Sequence, residues 1–475
     1  MDKETFKKYG YEFIDWVADY LMEVEKYPVK SQVKPGEIKG KIPPEPPFRE
    51  ESMEEIFGDF KEIILSGITH WQHPCWYGYF PANNSYPSIL GELLSAGLGV
   101  QCMSWETSPA ATELEEAVLQ WLRQMLGLPP GMVGVIQDTA STATLCALLT
   151  AREVARDFKI NVEGFQGLKS PLTVYASEEA HSSIEKGVKI AGYGKENLRY
   201  ISADEKFALI PSLLEKAITK DKERGFQPAC AVASLGTTSS AGIDPLESMA
   251  EICRRHGMWL HVDAAYGGSA AILEEKRDML RGIEGVDSFV FNPHKWLLTN
   301  FDCSAYFVKD PKLLIRTMEM SPEYLKTASD AQVNNYRDWG IQLGRRFRAL
   351  KLWFVLRSYG VEGLQEMIRE HLHLAGLFRE WVEGEDIFEL MAPVNFSLVC
   401  FRLNDGKSSP EELEGMNREL LEEINATGRV FLTHTSLKGK YTLRMSIGQR
   451  TTGEKHLRQA WGLIKEKARK VLEGR

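Results

Sequence analysis

Two motifs near the middle of the chain carry an acid and a lysine. Asp263 ends a predicted strand, and Lys295 lies in Asn292-Pro-His-Lys-Trp296, about one helix and one strand later. Pyridoxal phosphate needs a lysine amine that holds its aldehyde as a Schiff base and a carboxylate that keeps its pyridine nitrogen protonated. Lys295 and Asp263 fit these two roles, so the pair predicts a pyridoxal phosphate site. Metal binding by His261 and Asp263 is the rival interpretation, but this stretch offers no further ligand at suitable spacing, and we expect His261 to be a core histidine.

A strand followed by small hydroxyl residues supplies a candidate phosphate site. Residues 135–138 lead into Thr139-Ala140-Ser141-Thr142, which can open a helix. The N–H groups at a helix N-terminus bind phosphate. Taken alone, these residues are equally consistent with an ordinary helix cap.

Two further side chains could take part in the chemistry. His181 follows the apolar run 172–176 and precedes two serines, so we expect its imidazole at the mouth of the predicted sheet. Tyr324 lies between two structured regions, in a segment that looks like a mobile loop, and a lid is the functional interpretation. The alternatives are a capping or surface histidine and a loop tyrosine with no chemical role.

These residues must be positioned by alternating helices and strands. The first helix of the alternation begins after Ser108, a plausible N-cap, and ends before Gly127, and the spacing predicts a core face of Leu114, Val118, Trp121 and Met125. Short apolar runs follow at 133–136, 172–176, 230–235, 259–262, 288–291 and 304–308. The alternation predicts an α/β fold with a mostly parallel sheet, in which ligands bind beyond the carboxyl ends of the strands.

The two ends of the chain differ from this central part. At the N-terminus, apolar residues at helical spacing precede a proline-rich strap at 43–47, and such a helix cannot bury its own apolar face. After about residue 350, two helical stretches, strand-like segments near 396–401 and 441–445, and a last helix predict a small α+β domain. That helix has one apolar face, formed by Leu457, Trp461, Ile464, Ala468 and Val471. We therefore predict an N-terminal segment at 1–85, a large domain at 86–350 and a small domain at 351–475.

Composition narrows the class of partner. The 475 residues include 43% apolar residues and carry a formal net charge of -9, with basic residues dispersed among acids. This balance argues against nucleic acid and against a membrane-binding basic face, and it favours a small-molecule partner. Seven widely spaced cysteines without a C-x-x-C pair predict reduced thiols. With no signal-like start and no apolar run long enough to span a membrane, we expect a cytoplasmic protein. The histidine pairs at 70 and 73 and at 371 and 373 suit packing or solvation, and no metal is predicted.

These motifs resemble those of a known family. The lysine and acid motifs are similar to those of the group II pyridoxal phosphate decarboxylases, and within them the aromatic L-amino acid decarboxylases. The similarity extends to the first helix and to four further segments, His70-Trp-Gln-His-Pro74, Tyr77-Gly-Tyr-Phe-Pro81, Leu343-Gly-Arg-Arg-Phe347 and Leu443-Arg-Met-Ser-Ile447. The resemblance covers nearly the whole chain. It implies the fold type I, aspartate aminotransferase-like architecture of pyridoxal phosphate-dependent transferases. It also implies a homodimer in which the N-terminal segment wraps the second subunit.

The resemblance assigns roles around the cofactor. It implies that Lys295 carries the cofactor, that His181 stacks on its ring, and that Tyr324 protonates the substrate α-carbon after carbon dioxide leaves. It further implies that Ala140 and Ser141 hold the phosphate with help from Asn292 and His294. Thr238 and Ala265 match the family's further ring contacts. Related aldehyde synthases typically have phenylalanine at the position of the tyrosine, so tyrosine favours amine as the product. The family often has glycine and serine where this chain has Asp138 and Thr139.

The positions that match the family's side-chain pocket would form an apolar slot for an aromatic group. They are Trp71, Tyr79, Phe80, Pro81, Ala82, Met103, Phe301 and Gly344. No arginine stands among them to receive a second carboxylate, as a glutamate decarboxylase would need. Gly344 resembles the glycine of plant enzymes for indole substrates, where tyrosine decarboxylases often have serine. Tryptophan or dihydroxyphenylalanine is therefore favoured, phenylalanine and tyrosine stay open, and core packing is the alternative for each aromatic residue.

The resemblance thus implies decarboxylation of an aromatic L-amino acid to an arylalkylamine and carbon dioxide. An aldehyde synthase that uses oxygen is a first alternative, disfavoured by Tyr324 and His181. An aminotransferase is a second. A catalytically silent homologue that only binds or assembles is a third, and the intact Lys295 and Asp263 count against it.

Overall fold

The computed structural model of the protein describes residues 1–320 and 332–474. Its helices, in chain order, are α1 (Lys3–Glu23), α2 (Glu37–Lys41), α3 (Met53–Asp59), α4 (Tyr86–Leu98), α5 (Pro109–Leu126), α6 (Ala140–Ala155), α7 (Ile160–Glu163), α8 (Ser183–Ile190), α9 (Pro211–Glu223), α10 (Leu246–His256), α11 (Pro293–Trp296), α12 (Pro311–Met318), α13 (Arg348–Glu383), α14 (Pro410–Ala426) and α15 (Glu454–Glu473). α13 consists of two helical segments that meet at Gly360, where φ is 65°.

The strands alternate with these helices in the central part of the chain. They are β1 (Val133–Gln137), β2 (Leu172–Ser177), β3 (Leu198–Ile201), β4 (Gln227–Ser234), β5 (Trp259–Asp263), β6 (Ser288–Phe291), β7 (Ser304–Val308), β8 (Phe388–Leu390), β9 (Leu398–Leu403), β10 (Thr433–Leu437) and β11 (Lys440–Ser446). The apolar runs in the sequence therefore predicted six of these strands within a few residues of their bounds. β3 was not predicted, since only two of its four residues are buried and it carries no continuous apolar run.

The central sheet has seven strands in the order β1-β7-β6-β5-β4-β2-β3. The neighbours from β6 to β3 pair in parallel. β7 is antiparallel to both β6 and β1, so β1 runs in the same direction as β6. The prediction of a mostly parallel sheet is confirmed, and the carboxyl ends of all its strands except β7 lie at one edge. β2, β5 and β6 are buried along their whole length, which explains why they appear in the sequence as short, nearly continuous apolar runs.

α5 begins and ends where the sequence predicts, but it buries a different face. The Ser108 hydroxyl accepts the Ala111 N–H, and Gly127 ends the helix with φ 72°. The predicted core face was wrong at Trp121, which is 39% exposed, and right at Val118, which is fully buried. Glu115 is buried instead, because it pairs with an arginine far along the chain, and an acid is not counted in an apolar pattern.

The described residues divide into two compact units. The first comprises residues 1–81, 377–391 and 400–475, and the second comprises residues 82–376 and 392–399. The domain boundaries predicted from the sequence stay a prediction. None of the helices within residues 1–320 and 332–474 combines the length and the apolar character needed to cross a bilayer. The seven cysteines all lie within the described residues, where they are buried and form no disulfide bond.

The first unit contains α1 and the four-stranded sheet β10-β11-β9-β8. The apolar face of α1 packs on α3, with the rings of Phe13 and Phe57 4.5 Å apart, whereas Phe6 on the same helix stays 66% exposed. In α15 the predicted apolar face is buried at every position, as the helical spacing indicated. The second unit contains the seven-stranded sheet and every residue proposed to contact the cofactor, Tyr324 aside.

Candidate active site

The carboxylate of the site lies at the end of a central strand. Asp263 is the last residue of β5 and is 8% exposed. The Ala265 N–H donates to its Oδ1 at 3.1 Å, which turns the chain away from the strand and orients the carboxylate. The β5 neighbours β4 and β6 end at the same edge, so Asp263 sits at the centre of the row of strand ends where ligands bind in such folds.

Lys295 lies one strand away, in the single helical turn α11 that follows β6. The main-chain N–H of Lys295 donates to the Asn292 carbonyl at 2.9 Å. The main-chain carbonyl of Lys295 accepts from Asn83 Nδ2 at 2.9 Å. Burial lowers the pKa of the Lys295 amine, and the nearby Asp263 opposes that shift. A lower pKa raises the fraction of neutral amine, which is the form that attacks an aldehyde.

Two residues ahead of the lysine are held by the start of β7 and by the residue before it. Asn292 accepts a hydrogen bond from the Ser304 hydroxyl. His294 Nδ1 accepts from the Cys303 N–H at 2.9 Å, so the proton of the neutral ring is on Nε2. Burial, reinforced by Lys295, lowers the pKa of His294 to about 3, so the ring is neutral at physiological pH. Both predicted phosphate helpers are therefore fixed in the lysine turn.

The turn from β1 to α6 has the geometry of an anion site. The Thr139 hydroxyl caps α6 by accepting the Thr142 N–H at 3.4 Å. The N–H groups of Ala140 and Ser141 lie in the first turn, where a helix provides no acceptor for them. Asp138 accepts the Thr139 N–H at 2.6 Å, so the acid that departs from the family's glycine is engaged with its own turn.

His181 lies four residues beyond the end of β2. Its Nδ1 accepts the Ser183 N–H at 3.1 Å, which fixes the plane of the imidazole. Burial lowers its pKa, while Asp263 raises it and Lys295 lowers it. Both charged groups therefore lie near this ring, at the edge where β2, β5 and β6 end.

Two weaker predictions fall at the same edge. Thr238 lies in the turn after β4, and Ala265 lies two residues beyond the end of β5. This edge thus brings together a lysine amine, a buried carboxylate, an imidazole face and helix N-terminal amides. These groups match the aldehyde, the ring nitrogen, the ring and the phosphate of pyridoxal phosphate, so the residues present fit that cofactor. The individual contacts stay predictions.

His261 is a core residue, as expected. Its Nε2 and Nδ1 hydrogen-bond to the hydroxyls of Thr144 at 3.1 Å and Ser288 at 2.9 Å. Burial lowers its pKa to about 4. Among residues 1–320 and 332–474 the structure contains no group of three or more histidine, cysteine or acidic side chains that could hold a metal ion.

The predicted substrate residues of the second unit belong to connected segments. The Cys102 N–H donates to the Arg345 carbonyl at 3.0 Å, which joins the neighbours of Met103 and Gly344. Gly344 lies against Gln101, whose Nε2 would be 3.2 Å from an added Cβ. Phe301 is 59% exposed and contacts the ring of His294 at 4.6 Å. Ala82 directly precedes Asn83, the residue that contacts the lysine turn.

The other predicted substrate residues cluster in the first unit. Trp71 and Tyr79 stack with their rings 5.9 Å apart and 9° from parallel. Phe80 is buried under the guanidinium of Arg444 at 5.6 Å, and Pro81 packs against Gly448. Trp71 and Tyr79 present a partly exposed aromatic surface, whereas Phe80 and Pro81 are buried.

Tyr324 lies outside the described residues. The sequence reasoning also missed Asn83, Ser304 and the Glu115–Arg345 pair, all of which support the site. Asn83 contacts Lys295, and Glu115 contacts Arg345, in each case far away along the chain. Ser304 contacts the nearby Asn292. The one local signal was the Asn83-Asn-Ser85 cluster before α4, which marks a helix start but not a contact with the lysine.

Comparisons with known proteins agree with this geometry. The family model described as the pyridoxal-dependent decarboxylase conserved domain matches residues 35–404. Tryptophan decarboxylase 2 of Oryza sativa subsp. japonica is 44% identical over 99% of this chain and 96% of its own length. Phenylacetaldehyde synthase of Arabidopsis thaliana is 44% identical over 99% and 97%. The crystal structure of Oryza sativa TDC with PLP and tryptamine superposes with a TM-score of 0.96, at 38% identity over 99% of each chain.

Proposed function

The chain belongs to the pyridoxal-dependent decarboxylase family and acts as a carboxy-lyase on aromatic L-amino acids, and we propose tryptophan as its preferred substrate. Its cofactor is pyridoxal phosphate. The observation that supports this proposal is the position of Asp263 at the end of β5 and of Lys295 directly after the neighbouring strand β6, in a chain matched along nearly its whole length by such decarboxylases.

We propose a division of labour among the chain's residues. Pyridoxal phosphate, when bound, supplies the electron sink for the bond that breaks at the α-carbon. The amine of Lys295, whose pKa is lowered by burial, would hold the cofactor aldehyde. Asp263 keeps the ring nitrogen protonated, and the face of His181 packs on the ring. The amides of Ala140 and Ser141 hold the phosphate at the start of α6.

The proton that replaces the carboxyl group is assigned to Tyr324. A tyrosine hydroxyl can donate to the α-carbon, whereas a phenylalanine at the same position cannot. Amine is therefore the proposed product. An aldehyde synthase is the second candidate, because a relative with that name is as similar to this chain as the tryptophan decarboxylase.

The substrate preference rests on the slot. Gly344 lies against Gln101, where even a Cβ would be 3.2 Å from Nε2, so a glycine at this position keeps the slot as wide as the backbone allows, which suits a two-ring side chain. Relatives named for tryptophan decarboxylation and a structure with tryptamine support this choice. The apolar residues Met103 and Phe301 would offer no partner to a second carboxylate.

The experiment that tests this function is chromatographic. Pure protein with pyridoxal phosphate is incubated separately with tryptophan, dihydroxyphenylalanine, phenylalanine, tyrosine and glutamate, and amine, aldehyde, keto acid, ammonia and hydrogen peroxide are quantified. Tryptamine as the main product is the expected result. Aldehyde with ammonia and peroxide would establish the synthase, and keto acid would establish an aminotransferase. Amine from glutamate alone would contradict the proposal that the slot binds an aromatic side chain.

A homodimer and a cytoplasmic location are further proposals. The exposed Phe6 on the apolar face of α1 and the exposed leucines 90, 93, 94 and 98 along α4 support a dimer, since such faces need a partner surface. Buried cysteines that form no disulfide bond suit a reducing compartment. A monodisperse monomer by light scattering would refute the dimer.

A further inference from the structure

The lysine turn α11 is held from outside at almost every residue. The side chains on either side of Lys295 are engaged, since His294 contacts the Cys303 N–H and the Trp296 indole donates to His371 Nδ1 at 2.8 Å. The Lys295 side chain must remain available to the cofactor. A hydrogen bond from outside the turn reaches the main chain of this residue, where its carbonyl accepts from Asn83 Nδ2 at 2.9 Å.

Asn83 is built for this contact. Its side chain is fully buried, and it lies just ahead of α4, whose start makes two more bonds to the same loop. The Ser85 hydroxyl donates to the Leu298 carbonyl at 2.8 Å, and the Ser88 hydroxyl accepts the Asn300 N–H at 3.3 Å. The start of α4 therefore fixes the segment that carries the lysine at three points.

The contact of Asn83 differs from the other two in what it controls. α11 has only four residues. The carbonyl of Lys295 is therefore one of the terminal carbonyls that receive no hydrogen bond from an N–H group of the same helix. A turn this short has little stability of its own. A buried amide that bonds this carbonyl fixes the peptide plane, and with it the direction in which the Lys295 side chain leaves the backbone.

We propose that Asn83 is a positioning residue that acts through the backbone of Lys295 and aims its amine at the cofactor aldehyde. This inference rests on the proposed role of Lys295 as the cofactor lysine. Because the Asn83 amide bonds the main chain of Lys295, the effect expected of its loss is on the affinity and rate with which the lysine captures the cofactor.

The test compares cofactor affinity with and without the lysine. Pyridoxal phosphate is titrated into cofactor-free wild type, Asn83→Ala, Lys295→Ala and the double variant, with bound cofactor measured by equilibrium dialysis and the visible absorption band recorded in parallel. Asn83→Ala should weaken binding about tenfold when Lys295 is present, as expected for two coupled residues, and less than about twofold in the Lys295→Ala background. An equal loss in both backgrounds would mean a general structural role and would overturn the proposal, as would unchanged binding in both.

Two controls keep the result interpretable. Asn425→Ala removes another amide that donates to a main-chain carbonyl, that of Leu432 at 3.0 Å, and should leave cofactor binding unchanged. Asn83→Ser retains a shorter donor and should show a smaller loss than Asn83→Ala, and it carries the test if the alanine variant does not fold. If Lys295→Ala keeps the visible band, the proposed function itself is refuted. If Lys295→Ala loses the band and Asn83→Ala binds the cofactor normally, only the role of Asn83 is refuted.

Discussion

Glu115 and Arg345 form a buried ion pair, with Oε1 and Nη2 2.6 Å apart and side chains that are 3% and 7% exposed. Glu115 also accepts the Ile136 N–H at 2.8 Å, and Arg345 donates to the Ile136 carbonyl at 2.8 Å. Ile136 belongs to β1, which leads into the proposed phosphate turn, and Arg345 follows Gly344 of the proposed slot. The pair therefore ties one wall of the slot to the strand that supports the cofactor site.

Removing one charge of this pair should destabilise the protein strongly. Glu115→Gln leaves a buried guanidinium without its counter-charge, and we expect a loss of about 3–5 kcal/mol in the free energy of unfolding, measured by urea denaturation. The matched control is Glu454→Gln, which breaks the exposed pair with Arg458 on α15 and should cost less than about 1 kcal/mol. Similar losses in the free energy of unfolding for both variants would show that the buried pair stabilises the protein no more than the exposed pair does.

Asp263→Asn should separate cofactor binding from chemistry. A neutral amide cannot hold the ring nitrogen protonated, so we expect kcat to fall by about 10²–10³-fold while the visible band of bound cofactor persists. Absorption spectra and steady-state kinetics on one preparation provide the measurement. Asp405→Asn, in the turn after β9, should behave as wild type. A variant of Asp263 with near-normal kcat would exclude the proposed role of the carboxylate.

Gly344→Ser should shift the substrate preference. The added Cβ lies 3.2 Å from Gln101 Nε2, so the side chain of the exposed Gln101 must move slightly, and the new hydroxyl narrows the slot and offers a polar partner. We expect the ratio of kcat/KM for tyrosine to that for tryptophan to rise about tenfold. Gly344→Ala narrows the slot without a hydroxyl and should lower the efficiency for tryptophan without a gain for tyrosine. If neither variant changes kcat/KM for tyrosine or tryptophan, residue 344 does not line the slot.

Tyr324→Phe should redirect the product. Without the hydroxyl, protonation of the α-carbon slows, and reaction with oxygen competes, so we expect the amine rate to fall by about 10²-fold or more and aldehyde, ammonia and peroxide to appear. Product analysis in air and under nitrogen distinguishes the two routes. Unchanged amine formation would remove Tyr324 from the chemistry.

Acid should destabilise the protein partly through His261. Burial lowers its pKa from 6.5 to about 4, so between these two pH values the unfolded chain binds a proton that the folded chain does not. The free energy of unfolding therefore falls as pH decreases from 6.5 towards 4, by about 1.4 kcal/mol per pH unit for this one group. Urea midpoints at pH 7, 6 and 5 should show a shallower decline for His261→Gln than for wild type. Parallel declines would contradict the assignment.

The sequence predicted the elements of the second unit better than their contacts. Continuous apolar runs revealed strands such as β5 and β6 because helices cover both faces of a parallel sheet. β3 escaped because it has only four residues, of which only the first and the last are buried. Side-chain types at strand ends pointed to Asp263 and Lys295, since the chemistry of a cofactor restricts which residues can serve it.

What the sequence did not indicate depends on pairing across long distances. Glu115 reads as a surface acid until Arg345 is known to lie beside it, and for that reason the core face of α5 was misjudged at Trp121. Asn83 reads as part of a helix cap, although its amide contacts a residue more than two hundred positions later. Local spacing contains no information on such contacts.

The antiparallel strand β7 determines when during synthesis the site can form. It pairs residue 133 of β1 with residue 308 and lies between the strand that leads to the phosphate turn and the strand that leads to the lysine. A ribosome-bound chain that ends before residue 304 holds β1 and β6 with unpaired edges, which are prone to aggregation. The nascent polypeptide therefore cannot complete its cofactor cleft until the whole central sheet has emerged, and cofactor capture reports that this part of the chain has been made and folded.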